Sequence, residues 1–121
     1  MTKTHFEQLS DLNIDFFESA KSSLLDPLGL YLANDVKWIK LNEKWNSLKF
    51  PVVIGGKGQP ILLLHGFDSS FLEFRRIYQS LKRKFQVIIP DLLGFGFSPR
   101  CATNEYNPSK IISHLIDLLK T

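Results

Sequence analysis

The chain has 121 residues, enough for one domain, and 44% of them are hydrophobic, enough for a packed core. A net charge of +3 is too mild to imply nucleic acid, and 22% charged residues argues against general disorder. Its one cysteine, Cys101, excludes an internal disulfide and fits a reducing, cytoplasmic setting. Glu7 stands where a signal peptide needs an apolar core, and no apolar run reaches the ~18 residues of a membrane span.

Residues 1–44 read as a helical arm. Phe6, Leu9, Phe16, Ala20 and Leu24 recur at roughly helical spacing. A second helix is expected from about Leu30 to Leu41, holding Leu32, Val36 and Ile39, after a break at Asp26-Pro27-Leu28-Gly29. Such an arm packs on the domain, caps it, or lies on a membrane surface.

From Trp45 the pattern becomes alternating strand and helix. Lys49–Ile54 reads as a strand, with Pro51 suited to an edge or a strand start because it lacks a ladder donor. Gly55-Gly-Lys-Gly-Gln-Pro60 is a turn. Ile61–Leu64 is a continuous apolar run, the signature of a strand covered on both faces. Phe71, Phe74, Tyr78 and Leu81 then mark an amphipathic helix, with Ser69 or Ser70 as cap, Glu73 near its start and Arg75, Arg76 and Lys82 turned outward. Gln86–Ile89 is the next buried strand, and strand–helix–strand over this length predicts a parallel pair with a right-handed crossover. Asn107-Pro108 opens a last helix with Ile111, Ile112, Leu115, Ile116 and Leu119 on its apolar face.

Two loops carry the candidate chemistry. His65-Gly66-Phe67 follows the first apolar strand directly. Glycine there lets the chain turn sharply and brings a backbone N–H to the carboxyl end of the strands, where open α/β sheets bind ligands. Alone, His65-Gly66 reads rather as a tight turn with a hydrogen-bonded histidine. After the next strand comes Asp91-x-x-Gly94-x-Gly96-x-Ser98. This is not a dinucleotide fingerprint, because Pro99 takes the third glycine position, and not a nucleophile elbow, because Arg100 stands where G-x-S-x-G needs glycine. Asp91 reads as a carboxylate that holds the turn. His5 and His114 lack partners at recognisable spacing, and His114 is expected on the side of its helix. Cys101 follows Pro99-Arg100 with no turn to expose it, and reads as a structural or surface thiol. No spacing suggests a metal site. The basic cluster Arg75, Arg76, Lys82, Arg83 and Lys84 reads as a solvated helix face.

Together the two loops and the strands before them resemble the N-terminal part of the α/β-hydrolases, from about Trp45 onward. The resemblance implies an α/β sheet of about three strands with a parallel inner pair, flanking helices, and the helical arm in front. It implies that His65, Gly66 and Phe67 form the oxyanion loop, with Phe67 acting through its backbone N–H. It implies that Asp91, Gly94, Gly96 and Ser98 form a structural loop at the site rim. Leu64–Ser70 with Glu73–Arg75 is similar to α/β-hydrolases of cyanobacteria and plastids. Phe67 argues against a haloalkane dehalogenase, where this place is usually asparagine. The intact enzyme would act on a small-molecule, ester-like bond and needs no cofactor.

No G-x-S-x-G occurs anywhere in the chain, so no catalytic triad residue can be assigned. The resemblance places the nucleophile beyond the helix that ends near Leu119, on a strand that would flank residues 61–64. The expectation is a chain ending before the nucleophile elbow, inactive alone, with that strand edge open to self-association or to a complementary polypeptide.

Overall fold

A computed structural model describes residues 4–100 and 106–121. Cys101 lies outside the described residues. Helix α1 (His5–Ser22) starts on a capping box: Thr4 accepts from Glu7 N–H, and the Glu7 carboxylate accepts from Thr4 N–H. A short helix α2 (Pro27–Ala33) follows, capped by Asp26, with Pro27 at its first position.

The second helix expected up to Leu41 ends instead at Ala33. Residues Val36–Lys40 are strand β1, paired antiparallel with β2 (Lys49–Gly55) in the register Trp38↔Pro51. Val36 and Ile39 lie three apart and mimic a helical face, but Trp38 and the pairing with β2 decide the outcome. A 3₁₀ turn at Glu43–Trp45 joins the two strands. Strand β3 (Gln59–Leu62) leads through a second 3₁₀ turn (Phe71–Phe74, capped by Ser70) into α3 (Arg75–Lys82) and β4 (Phe85–Pro90). Helix α4 (Pro108–Leu119) is capped by Asn107, whose side chain accepts from Lys110 N–H.

The result is an α/β fold with a four-stranded mixed sheet ordered β1-β2-β4-β3. β3 and β4 are parallel, as the strand–helix–strand pattern requires, and the other two contacts are antiparallel. β1 adds one strand to the three that the sequence pattern marks out.

Pro51 sits inside β2, between two partner strands, not at an edge. Its carbonyl accepts from Asp91 N–H at 3.3 Å, so its ring nitrogen faces the Asp91 carbonyl and has no hydrogen to give. The Ser98 hydroxyl donates to that carbonyl instead, at 2.8 Å.

Each sheet face carries its own apolar layer. On one, Phe17, Leu32, Val53, Phe71, Tyr78, Val87 and Ile89 are buried under α1, α2 and α3. On the other, Trp45, Leu48, Phe50, Val52, Leu93 and Leu118 are buried, with α4 as cover. Lys82, expected to point to solvent, donates to Asp35 Oδ2 at 2.6 Å, and Tyr78 Oη donates to the same oxygen at 2.5 Å. Burial, then the Asp35 carboxylate, pushes the Tyr78 phenol far above its ordinary range, so this cluster ties α3 to the start of β1 and is no nucleophile.

Two further expectations need correction. Ile61–Leu64 is not covered on both faces: Leu62 and Leu64 are exposed on β3, the last strand of the described sheet. His114 is not at the side of its helix but buried, edge-on to the rings of Trp45 and Phe50 at 4.8 and 4.3 Å, with no hydrogen-bond partner for Nε2. Burial pulls its imidazole down to about 4.

Candidate functional site

Because β3 and β4 are parallel, the loops that leave them emerge side by side at one end of the sheet. One hydrogen bond joins them: Leu92 N–H donates to His65 Nε2 at 3.0 Å. A ring nitrogen that accepts carries no proton, so these partners place the His65 proton on Nδ1, where it donates to the Gly66 carbonyl at 2.8 Å. His65 is buried and bridges the loops, with its Nε2 still 4.0 Å from Asp91 Oδ1.

Asp91 organises the second loop from inside. It is fully buried; Oδ1 accepts from Phe71 N–H and Oδ2 from Phe97 N–H, each at 2.7 Å. Burial pushes its carboxyl up to about 6, while these two donors and the neighbouring His65 and Arg100 act in the opposite direction. Gly96 has a φ of +56°, and a Cβ there would stand 2.3 Å from Asp91 Oδ2, so both conformation and space demand glycine. Gly94, at φ +87°, packs against the Tyr106 ring. Arg100 closes the loop by donating to the carbonyls of Gly94 and Gly96.

The first loop is held less completely. Gly66 N–H donates to Glu73 Oε1 at 3.2 Å. That hydrogen bond and the Ser69 hydroxyl, the larger cause, hold the Glu73 carboxyl below its ordinary range. The next amide, Phe67 N–H, has no acceptor among the described residues. The Phe67 side chain is 90% exposed and meets Phe95 edge-on at 5.4 Å, and Phe95 in turn meets His65. Beside the loops runs an open groove of about 630 Å³ between Ser69, Ser70 and Glu73 on one side and Gly96 and Phe97 on the other.

The structure thus brings together His65, Gly66, Phe67, Asp91, Gly94, Gly96 and Ser98, which stand in two separate segments of the sequence. His5 is exposed and has a ring contact with Phe6, and His114, on α4, packs into the far apolar layer against Trp45 and Phe50. Sequence reasoning missed Glu73 as the partner of Gly66 N–H, having assigned it to the helix dipole. It also missed Arg100. Glu73 stands seven positions after Gly66, across a loop and the start of a 3₁₀ turn, so no periodic signal could have linked them. Among the described residues, no group of three His, Cys, Asp or Glu could hold a metal ion, and no helix is long and apolar enough to cross a membrane.

One backbone N–H is presented next to a groove, on a loop braced by a buried histidine and a buried carboxylate.

The chain is similar to the soluble epoxide hydrolase of Corynebacterium sp. (strain C12), 40% identical over 76 residues, which are 58% of this chain and 27% of that protein. It is also similar to lipase 3 of Moraxella sp. (strain TA144), 40% identical over 63 residues, 52% of this chain and 20% of that one. Among solved structures, the meta-cleavage product hydrolase CumD of Pseudomonas fluorescens IP01 superposes with a TM-score of 0.61 at 26% identity, over 69% of this chain and 30% of its own. The aCif-D158S structure covers 99% of this chain and 35% of its own, with a TM-score of 0.66 at 25% identity. The chain therefore spans about a fifth to a third of the relatives it matches. The family model of the alpha/beta hydrolase fold matches residues 59–119, half of the chain, from β3 through both loops to the end of α4. By that match, the chain belongs to the alpha/beta hydrolase fold family.

Proposed function

We propose that this chain supplies the oxyanion loop of a hydrolase that acts on an ester-like or related bond of a small molecule in the cytoplasm. The observation that carries the reading is the Phe67 N–H. It lacks an acceptor among the described residues, it lies where the strands end, and the groove's lining starts at the next residue, Asp68. A backbone donor fixed in this way stabilises the negative oxygen of a tetrahedral intermediate, an effect worth about 2.7–4 kcal/mol per donor in other enzymes. Epoxide hydrolases, lipases and meta-cleavage hydrolases among its relatives leave the bond open, and fold does not decide it.

The chain contains no G-x-S-x-G, so by itself it should hydrolyse no short activated ester above a heat-denatured control. Coding sequence downstream of Thr121 is the place to look for a strand, a G-x-S-x-G and a later histidine. A protein carrying those together with this chain should cleave the ester, and Phe67→Pro, which removes the N–H, should lower its kcat about 10²–10³-fold. An active protein that ignores Phe67→Pro would overturn the assignment.

A further inference from the structure

Between the Asp91 loop and the Phe67 amide stands one side chain, Glu73. Its backbone belongs to the 3₁₀ turn Phe71–Phe74, and the start of that turn is anchored three times over. Phe71 N–H donates to Asp91 Oδ1 at 2.7 Å, Leu72 N–H to Ser70 Oγ at 3.2 Å, and Glu73 N–H to the Ser70 carbonyl at 3.0 Å. The carboxylate therefore starts from a fixed point. It reaches back seven positions and accepts from Gly66 N–H at 3.2 Å. From the other side of the loop tip, the Ser69 hydroxyl acts on the same carboxylate, and it is the larger of the two influences that hold this group below its ordinary range.

The tip between these contacts is not at rest by itself. Asp68 has a φ of +58°, a left-handed conformation that aspartate tolerates better than most residues but keeps where its surroundings enforce it. Gly66, two positions earlier, has no Cβ and is the joint with the most freedom. Both peptide planes that meet at Gly66 are nonetheless held. The plane before it carries the Gly66 N–H, which Glu73 binds. The plane after it carries the Gly66 carbonyl, which accepts from His65 Nδ1 at 2.8 Å. Phe67 N–H belongs to that second plane and, in a trans peptide, points opposite to the Gly66 carbonyl. The direction of the donor thus follows from two clamps, and release of the first lets Gly66 rotate and turn the donor with it.

We propose that Glu73 is a positioning residue of the oxyanion loop: by accepting from Gly66 N–H it locks the peptide planes at Gly66 and aims the Phe67 N–H at the substrate oxygen, without touching the reacting atoms itself. It carries the order of the Asp91 loop, through the 3₁₀ turn, into the loop that presents the donor. The role needs an acceptor at the right reach more than it needs a charge. Glutamine has that reach, whereas aspartate is one methylene short of it. This inference rests on the reading of Phe67 N–H as the oxyanion donor.

The test is the order and direction of the Phe67 N–H bond in the full chain, measured by 15N relaxation and residual dipolar couplings. In the wild type its order parameter should match rigid backbone, about 0.85, although the amide exchanges freely with water. Glu73→Ala should lower it below about 0.6 and collapse the Phe67 dipolar coupling, while Phe71 and Phe97 stay unchanged. Glu73→Gln should restore both quantities, and Glu73→Asp should not. In a protein that carries this chain together with a nucleophile elbow, Glu73→Ala should lower kcat about 10-fold with KM unchanged, short of the roughly 10²–10³-fold expected for loss of the donor. In a Phe67→Pro background it should cost nothing further. A Phe67 bond that stays rigid in Glu73→Ala would overturn the proposal. So would a Glu73→Gln chain as disordered as Glu73→Ala, a Glu73→Asp chain that is fully ordered, or a loss of kcat that adds to that of Phe67→Pro. If Glu73→Ala does not fold, Glu73→Asp decides alone. Full activity of Phe67→Pro would overturn the hydrolytic reading and this role with it, whereas a rigid Phe67 bond in Glu73→Ala overturns this role alone.

Discussion

The two loops at the end of the sheet have opposite characters. In the loop after β4, both carboxylate oxygens of Asp91 accept backbone N–H groups, Ser98 serves the Asp91 carbonyl, and Arg100 serves those of Gly94 and Gly96. Its polar groups are turned inward and its conformation is over-determined. In the loop after β3, the bracing ends at Gly66, and the next amide and the Phe67 ring face outward. One loop holds shape; the other presents a donor on that shape. The difference teaches that the rigid loop is a condition for the presenting one, since His65 reaches across to Leu92.

The largest effect should come from removing the carboxylate that fixes the rigid loop. Asp91→Ala strands the N–H groups of Phe71 and Phe97 without acceptors, at about 1–3 kcal/mol each. Equilibrium urea unfolding should show a loss of about 3–5 kcal/mol. A loss below 1 kcal/mol would mean that water or a rearranged loop replaces the carboxylate with ease.

The titration of Asp91 gives a second, smaller handle. A carboxyl raised from 3.8 to about 6 in the folded state contributes stability that is fully present below its unfolded value and is lost as pH rises to about 6. His114, lowered from 6.5 to about 4, has the opposite slope: its contribution is present above 6.5 and is lost as pH falls toward 4. The two partly cancel in the wild-type chain. His114→Leu should therefore expose the Asp91 slope, with stability declining by up to about 3 kcal/mol between pH 4 and 6. The same substitution removes the unpartnered Nε2 and should raise stability at pH 5. A His114→Leu chain with a flat profile would show that the two N–H donors outweigh burial at Asp91.

The smallest effect belongs to the presenting loop. Glu73 is exposed, and Glu73→Gln keeps an acceptor while removing the charge. The thermal midpoint should hardly move, whereas Gly66 amide exchange should quicken. A large drop in the midpoint would make Glu73 a structural brace comparable with Asp91 and erase the contrast between the loops.

Local chemistry made much of this legible. The Asn107-Pro108 start of α4, the Ser70 cap and the parallel β3–β4 pair follow from residue types and spacing alone. Strand β1 did not, because Val36 and Ile39 satisfy a helical period and only the distant partner β2 selects the strand. The apolar run at Ile61–Leu64 announced a strand, but coverage depends on neighbours that a run of leucines cannot specify. At the site, glycines with positive φ mark where turns must be, so Gly94 and Gly96 could be read directly. The hydrogen bond from Leu92 N–H to His65, and that from Gly66 N–H to Glu73, arise only after the chain is folded.

The central claim is the contrast between held and presented amides, and amide exchange resolved by NMR tests it most directly. The account predicts strong protection at Phe71, Leu92 and Phe97, whose N–H groups donate to Asp91 and His65, with fast exchange at Phe67 and intermediate exchange at Gly66. Protection at Phe67 equal to that at Phe97 would mean that its N–H already has a partner in the folded chain, and would contradict the account.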